Sequence, residues 1–145
     1  MITLDAQGLK LISMFESVTH TRVKDCIQLE DRVIFIVEEN QIGIAIGKKG
    51  KNVVDLKRRL KKNVQLIEYS SDPVKFLKNI FRQYNPQNVY LEEKDGKTYG
   101  RVEVPTKEKG RAIGAKASNL QIAKMIIKRH FDIENILITS GPLES

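Results

Sequence analysis

Apolar residues recur at helical spacing near the start of the chain and again near its middle, which predicts two amphipathic helices. The first stripe consists of Leu4, Leu11, Phe15 and Val18. The second stripe consists of Val74, Leu77, Phe81 and Tyr84. Asp72-Pro73 precedes the second stripe, and a capping residue followed by proline is typical of a helix start. The chain therefore opens two segments in the same way.

Two short strand-like runs follow each predicted helix. They cover residues 23–29 and 33–38 in the first half, and 88–93 and 98–104 in the second half. Asp95-Gly96 separates the last two runs and is typical of a tight β-hairpin. Each half then continues with two helical segments and a closing strand, at residues 64–69 or 133–139. Both halves therefore predict the order helix, strand, strand, helix, helix, strand.

The junction between the last two helical segments is repeated in the sequence. Ile46-Gly47-Lys48-Lys49-Gly50-Lys51-Asn52-Val53 matches Ile113-Gly114-Ala115-Lys116-Ala117-Ser118-Asn119-Leu120 at an offset of 67 residues, with isoleucine, glycine, the second lysine and asparagine in common. Ser70-Ser71-Asp72-Pro73 is a short polar linker between the repeats. We therefore expect one domain in residues 1–70 and a second in residues 71–145, with a frayed tail at residues 140–145.

The glycine-containing junction of the first half carries the candidate chemistry. Gly47 can end one helix and Gly50 can start the next, because glycine permits a positive φ and a close backbone approach. Unpaired amides at a helix N-terminus favour a phosphate group. Lys48, Lys49 and Lys51 add full positive charges beside these amides. The pattern favours a site for a sugar-phosphate backbone.

Gly47-Lys48-Lys49-Gly50, with Ile44 and Ile46 before it, resembles the GXXG signature of a KH domain, whose loop clamps single-stranded nucleic acid. The element order resembles the type II KH topology. Two such domains in tandem resemble the archaeal NusA-like family of transcription termination and antitermination proteins, and the segment 111–123 is especially similar to that family's second KH domain. The fold class implied is α+β, with each domain an αββααβ unit whose three-stranded mixed sheet packs on helices.

The resemblance implies a protein that binds single-stranded RNA and acts with RNA polymerase. In this interpretation Gly47 and Gly50 allow backbone approach, the three lysines neutralise phosphate, and Ile44, Ile46 and Val53 line a groove for bases. Two alternatives stay open: a KH-type RNA-binding factor in ribosome biogenesis, and a KH-fold scaffold for protein–protein contacts.

The second loop, Gly114-Ala115-Lys116-Ala117, departs from the GXXG pattern. Alanine adopts left-handed conformations less cheaply than glycine, so we expect a weaker clamp here. Ser118 is expected to cap the following helix, with Gln121 completing a capping box. The phosphate contacts expected in this half come from Gly114 and from three cations: Lys109, Arg111 and Lys116. We therefore expect the first domain to grip RNA more strongly.

The positive charge of the chain is concentrated in one segment. The formal net charge is +7 and the pI is about 9.5. Residues 48–62 contain eight Lys and Arg side chains against Asp55 alone, an excess as large as that of the whole chain. Such a field attracts phosphate backbones. Lys51 lies nearest the loop, whereas Arg58 and Lys62 lie two or three turns away and are expected to act at long range.

Several other functional classes receive no support from the sequence. The two histidines are scattered, and the single cysteine, Cys26, falls in a strand pattern typical of a small core residue. There is no nucleotide-binding or dinucleotide motif and no apolar run long enough to span a membrane. We expect a cytoplasmic monomer that is not an enzyme, without a metal or cofactor and without a membrane partner.

Overall fold

The computed structural model describes residues 5–141, which divide between Ser70 and Ser71 into two compact units. The first unit has the predicted order of helices and strands. Its elements are α1 (Ala6–Thr19), β1 (Val23–Gln28), β2 (Arg32–Val37), α2 (Ile42–Ile46), α3 (Lys51–Leu60) and β3 (Asn63–Glu68).

The second unit has the same order. Its elements are α4 (Pro73–Ile80), β4 (Asn88–Lys94), β5 (Lys97–Val104), α5 (Thr106–Ile113), α6 (Ser118–His130) and β6 (Asn135–Ser140). The sequence predicts Ser140 in the frayed tail, but Ser140 is the last residue of β6. Residues 142–145 of that predicted tail lie outside the described range.

Each unit contains a three-stranded mixed sheet. The strand order is β1-β2-β3 in the first unit and β4-β5-β6 in the second, and the middle strand is antiparallel to its first neighbour and parallel to its second. The parallel pair requires a crossover, which α2 and α3 provide in the first unit, and α5 and α6 in the second. The α+β class with mixed sheets packed on helices is confirmed.

Aspartate caps the first helix of each unit, and the cap of α4 is the predicted one. Asp5 Oδ1 accepts a hydrogen bond from the Gly8 amide at 2.7 Å at the start of α1. Asp72 Oδ1 accepts one from the Val74 amide at 3.0 Å, with Pro73 in the first turn of α4. The first stripe faces the core through Leu11 and Phe15, whereas Leu4 lies outside the described residues.

The β4–β5 hairpin turns at the predicted dipeptide. Asp95 and Gly96 have φ values of 54° and 76°. A positive φ at both central residues defines the type I′ turn, whose twist matches the twist of the flanking strands. The antiparallel register that follows pairs Lys94 with Lys97 beside the turn.

The core of the first unit lies between the sheet and its helices. The rings of Phe15 in α1 and Phe35 in β2 stack with centroids 4.3 Å apart. Ala45 and Leu56 are fully buried in the same cluster, so they fix α2 and α3 on the sheet. Cys26 is 5% exposed in this cluster, which confirms its predicted place in the core. Both α2 and α3 contact β3, so the junction between the two helices lies beside this strand.

The second unit is packed in the same manner. Phe76 and Leu77 of α4 are fully buried, and a Cβ added at Gly100 would lie 2.9 Å from Leu77 Cδ1. Glycine at this position of β5 therefore allows α4 to approach the sheet closely. Ala112 of α5 and Ile127 of α6 are buried, and both helices contact β6.

Candidate nucleic-acid interface

The junction between α2 and α3 is a tight turn with three residues at positive φ. Gly47 ends α2 with φ 81° and ψ 168°, and a 3₁₀ turn follows over Lys48–Gly50. Lys49 has φ 54° and Gly50 has φ 72°. Gly47 therefore ends the first helix and Gly50 caps the second, as predicted.

Asn52 holds this turn in place. Its Nδ2 donates a hydrogen bond to the carbonyl oxygen of Ile44 at 3.1 Å. A Cβ on Gly47 would lie 2.9 Å from Cγ of the same Asn52 side chain, so Gly47 is required for space as well as for conformation. Gly50 differs, since an added Cβ there would meet no heavy atom within 4 Å. The open space at Gly50 leaves room for a ligand to approach the backbone.

The cations at the turn are exposed. Lys48, Lys49 and Lys51 have exposed side chains, and none of them forms an ion pair within residues 5–141. No side chain caps the N-terminus of α3. Backbone amides with partial positive charge and three full positive charges therefore converge on this end of the helix.

An open apolar groove of about 380 Å³ adjoins the turn. The residues that line it come from the end of α2, the start of α3 and β3. They are Ile46, Gly50, Val53, Val54, Val64 and Leu66. Cations and open backbone therefore border a surface on which flat apolar groups can rest.

The far side of α3 carries an acid–base cluster. Asp55 accepts hydrogen bonds from Arg58 Nη2 at 2.5 Å and from Arg59 Nε at 3.2 Å. The hydrogen bond from Arg58 holds the pKa of the Asp55 carboxyl below its ordinary value of 3.8, and Arg59 acts in the same direction. Arg58 and Lys62 are the two cations that we expect to act at long range. Lys62 donates a hydrogen bond to the Leu29 carbonyl oxygen at 3.2 Å.

The second loop has the same backbone conformation as the first. Gly114 has φ 82° and ψ 166°, Lys116 has φ 54°, and Ala117 has φ 59°. Alanine thus adopts the left-handed conformation of Gly50 despite its cost. The capping prediction was wrong: Ala117 occupies the N-cap position, and Ser118 lies within α6 with φ −60° and ψ −45°.

Side chains tie down the second loop more extensively than the first. Asn119 Nδ2 donates to the Arg111 carbonyl oxygen at 2.9 Å and to the Tyr84 hydroxyl at 3.1 Å. The Arg111 guanidinium pairs with Glu108 at 2.5 Å and lies 5.6 Å from the centroid of the Tyr84 ring. These contacts stabilise a loop that lacks the second glycine, and they partly neutralise Arg111.

The predicted site residues of the first unit lie together, with one difference. Ile46, Gly50 and Val53 line the groove, and Gly47, Lys48, Lys49 and Lys51 form the turn at its edge. Ile44 is 61% exposed but does not line the groove, and its carbonyl oxygen anchors Asn52. In the second unit Lys109 is half-buried and Lys116 is exposed.

Sequence reasoning missed four residues of this site. Val54, Val64 and Leu66 line the groove, and Asn52 braces the turn. The recurrence of asparagine 67 residues later was the signal for Asn52, since both asparagines brace their loops in the same way. The β3 residues gave no comparable signal, because their role depends on how the strand packs beside α3.

Neither a membrane-spanning helix nor a metal-binding cluster is found in the described part of the chain. Within residues 5–141, no helix has the length and apolar character needed to cross a membrane. The same residues contain no group of three or more His, Cys, Asp or Glu side chains placed to hold a metal ion.

Comparison with protein families gives two matches. The KH domain model matches residues 11–95, and the model of the NusA-like second KH domain matches residues 73–140. The first match continues past Ser70 into the second unit. The second match spans α4 to β6 of the second unit, including the loop that has alanine at position 117.

Similar proteins are found in archaea. The chain is 33% identical over 137 residues to a protein of Methanocaldococcus jannaschii named "Probable transcription termination protein NusA", which covers 94% of this chain and 75% of that protein. It is 36% identical over 138 residues to a protein of the same name from Halobacterium salinarum, covering 95% and 99% of the two chains.

Solved structures are also similar to this chain, one of them over most of its length. The crystal structure of APE1850 superposes with a TM-score of 0.75 at 32% identity, covering 93% of this chain and 99% of that one. The chain thus has two mixed-sheet units with matching glycine-containing turns. Family models and archaeal relatives match nearly its whole sequence. The chain belongs to the NusA-like proteins of the KH domain family.

Proposed function

We propose that this protein binds single-stranded RNA and acts with RNA polymerase in transcription termination or antitermination. The first unit makes the main contact, and its role is binding rather than catalysis. The proposed RNA-binding residues are Ile44, Ile46, Gly47, Lys48, Lys49, Gly50, Lys51, Val53, Lys109, Arg111, Gly114 and Lys116.

One observation carries the RNA-binding part of this proposal. Unpaired lysines and an accessible helix N-terminus lie directly beside an apolar groove, with the open backbone at Gly50 between them. A single strand has phosphates on one side and exposed bases on the other, so it matches a surface with this division. A duplex, whose bases are stacked inside, would leave the apolar groove unused.

The second unit is proposed to extend the contact rather than to repeat it. Lys116 has the same backbone conformation as Lys49, but Arg111 is paired with Glu108 and packed on Tyr84. The methyl group of Ala117 also occupies the place where Gly50 leaves open space. Fewer groups are therefore available to phosphate at the second loop.

The matched lysines provide the test of this ranking. Lys49 and Lys116 both have φ 54° and exposed side chains, so aspartate at either position changes charge in the same local geometry. We expect Lys49→Asp to weaken binding of a short single-stranded RNA at least threefold more than Lys116→Asp, measured by fluorescence anisotropy. Equal losses would contradict the ranking, and unchanged binding in both variants would contradict the assigned site.

The role in transcription rests on the relatives, which are named as transcription termination proteins. We expect the tagged protein to co-purify with RNA polymerase and to alter the position of terminated transcripts in vitro. Sedimentation with ribosomal particles in place of polymerase association would favour a role in ribosome biogenesis. Polymerase association that persists when RNA binding is abolished would show that the two contacts are separate.

A further inference from the structure

A second cleft, lined by cations, lies on the outer side of α3. Its volume is about 490 Å³, and its lining consists of Lys51, Val54, Asp55, Arg58 and Arg59. Val54 also lines the apolar groove and is 61% exposed, so the groove and the cleft meet at this side chain. A strand that leaves the groove over Val54 enters a positively charged surface.

Asp55 fixes the geometry of this cleft. It accepts one hydrogen bond from each arginine, through Arg58 Nη2 and Arg59 Nε. The two arginine side chains are nevertheless 76% and 54% exposed, so their other N–H groups remain accessible to solvent. A guanidinium held in one orientation loses less freedom when it binds phosphate than a mobile one does.

The fold does not require these charges. The positions 67 residues later, on the matching face of α6, are occupied by Ser118, Gln121, Ile122, Met125 and Ile126. None of these side chains is charged, yet the second unit forms the same elements in the same order. At the matching positions of α6, the described part of the second unit therefore has no such charges, whereas in the first unit they lie beside the groove with its unpaired lysines.

We propose that the cleft of Lys51, Asp55, Arg58 and Arg59 is a second phosphate-binding subsite, which takes the RNA strand where it leaves the groove. This inference rests on the proposed RNA-binding function. Arg58 lies seven residues beyond Lys51, about 10 Å along the helix axis. The arginines therefore contact phosphates beyond the roughly four nucleotides that a KH groove holds, and Asp55 acts as a positioning residue.

The length of the RNA tests this subsite. Randomised pools of RNA tetranucleotides and octanucleotides are each titrated with the unaltered full chain and with the double variant Arg58→Ala/Arg59→Ala. Binding of the tetranucleotides is measured by NMR chemical-shift changes, and binding of the octanucleotides by fluorescence anisotropy. We expect the double variant to bind the octanucleotide about fivefold to tenfold more weakly and the tetranucleotide unchanged. The log–log salt slope for the octanucleotide should become shallower by about 1.4, since two phosphate contacts are lost.

Two control variants separate the subsite from general electrostatics. Lys75→Ala/Lys78→Ala removes two exposed cations from α4, and an equal loss of affinity there would overturn the inference. The double variant Arg58→Ala/Arg59→Ala leaves the Asp55 carboxylate without its two partners. The second control, Asp55→Asn/Arg58→Gln/Arg59→Gln, removes that carboxylate together with both arginines. If this triple variant regains the octanucleotide affinity, repulsion between the unpaired Asp55 carboxylate and phosphate caused the loss. That result would also overturn the inference.

The remaining outcomes distinguish the subsite from the function on which it rests. A tetranucleotide loss equal to the octanucleotide loss would overturn the subsite and leave RNA binding in the groove intact. The higher affinity for the octanucleotide could be lost in Lys116→Asp and kept in the arginine variant. The additional RNA contact would then lie in the second unit, which would overturn the subsite. Failure of the unaltered protein to bind either pool would overturn the proposed function itself.

Discussion

Asparagine at positions 52 and 119 braces the two loops through a single kind of contact. Each side-chain amide donates to the carbonyl oxygen three residues before the loop's first glycine, Ile44 in one loop and Arg111 in the other. A Cβ added to that glycine would lie 2.9 Å from Asn52 Cγ in the first loop and 3.0 Å from Asn119 Cγ in the second, where Ser118 Oγ is also 2.9 Å away. The first glycine is therefore required both for its positive φ and for the space beside the asparagine, whereas the last residue of the loop must only adopt a positive φ.

This difference predicts unequal costs of alanine at the two glycines of the first loop. Gly47→Ala must adopt φ 81° and ψ 168°, and its Cβ would lie 2.9 Å from Asn52 Cγ. We expect Gly47→Ala to lower the free energy of unfolding of the first unit by about 3 kcal/mol. Gly50→Ala meets no steric contact, and we expect a loss of about 1 kcal/mol.

Urea denaturation of the two variants measures this difference. Ala117 serves as the natural reference, since it already has φ 59° at the position matching Gly50. A larger loss for Gly50→Ala than for Gly47→Ala would contradict the assignment of the steric role to Gly47.

At the scale of the elements, helix α3 combines three tasks on different faces. Leu56 anchors it in the core, Val53 and Val54 border the groove, and Asp55 holds two arginines on the outer side. The carboxylate stabilises the folded state because an ion pair with both arginines exists only there. A group whose pKa is lowered by folding contributes stability above its unfolded pKa and loses it as the pH falls.

The acid dependence of stability tests the role of Asp55 in this helix. The stability advantage of the unaltered protein over Asp55→Asn should be present at about pH 6 and decline as the pH falls below the ordinary pKa of 3.8. Chemical denaturation at several pH values between about 6 and 2 measures it. Asp132→Asn is the matched control, because Asp132 is exposed and forms no ion pair in the described part of the chain. An advantage that grows on acidification would contradict the assignment.

Elements with a local signal could be predicted from the sequence. The hairpin was placed correctly because Asp95 and Gly96 carry the turn chemistry themselves, and Asp72-Pro73 specified the start of α4 in the same way. Ser118 was assigned to the wrong position because a local capping preference was outweighed by the contacts of Asn119. Leu66 was missed as a groove residue because nothing in strand β3 indicates which helix lies beside it.

At the scale of the whole molecule, the positive charge is most concentrated in one segment. Residues 48–62 contain an excess of seven positive charges, whereas the rest of residues 1–70 have an excess of four negative charges and residues 71–145 an excess of four positive charges. Within that segment, Asp55 offsets part of the arginine charge and leaves the loop lysines as unpaired cations. We therefore expect the strongest attraction for a polyanion around the turn and helix α3 of the first unit, with a weaker contribution from the second unit.

The salt dependence of binding follows from this distribution. A tetranucleotide that fills only the groove should contact two or three phosphates, which gives a log–log slope of roughly −1.4 to −2.1. Lys48→Asp/Lys49→Asp should flatten that slope markedly, whereas Lys75→Ala/Lys78→Ala should leave it unchanged. Anisotropy or NMR titration at several potassium concentrations measures both, and a slope insensitive to the loop lysines would contradict a groove-centred contact.

The buried position of Cys26 has a practical consequence. It is the single thiol of the chain and is 5% exposed within the core of the first unit. A cysteine introduced at the tip of either loop would therefore be the preferred target for a maleimide dye. Paired dyes on the two tips would then report by energy transfer whether both loops engage one oligonucleotide at the same time.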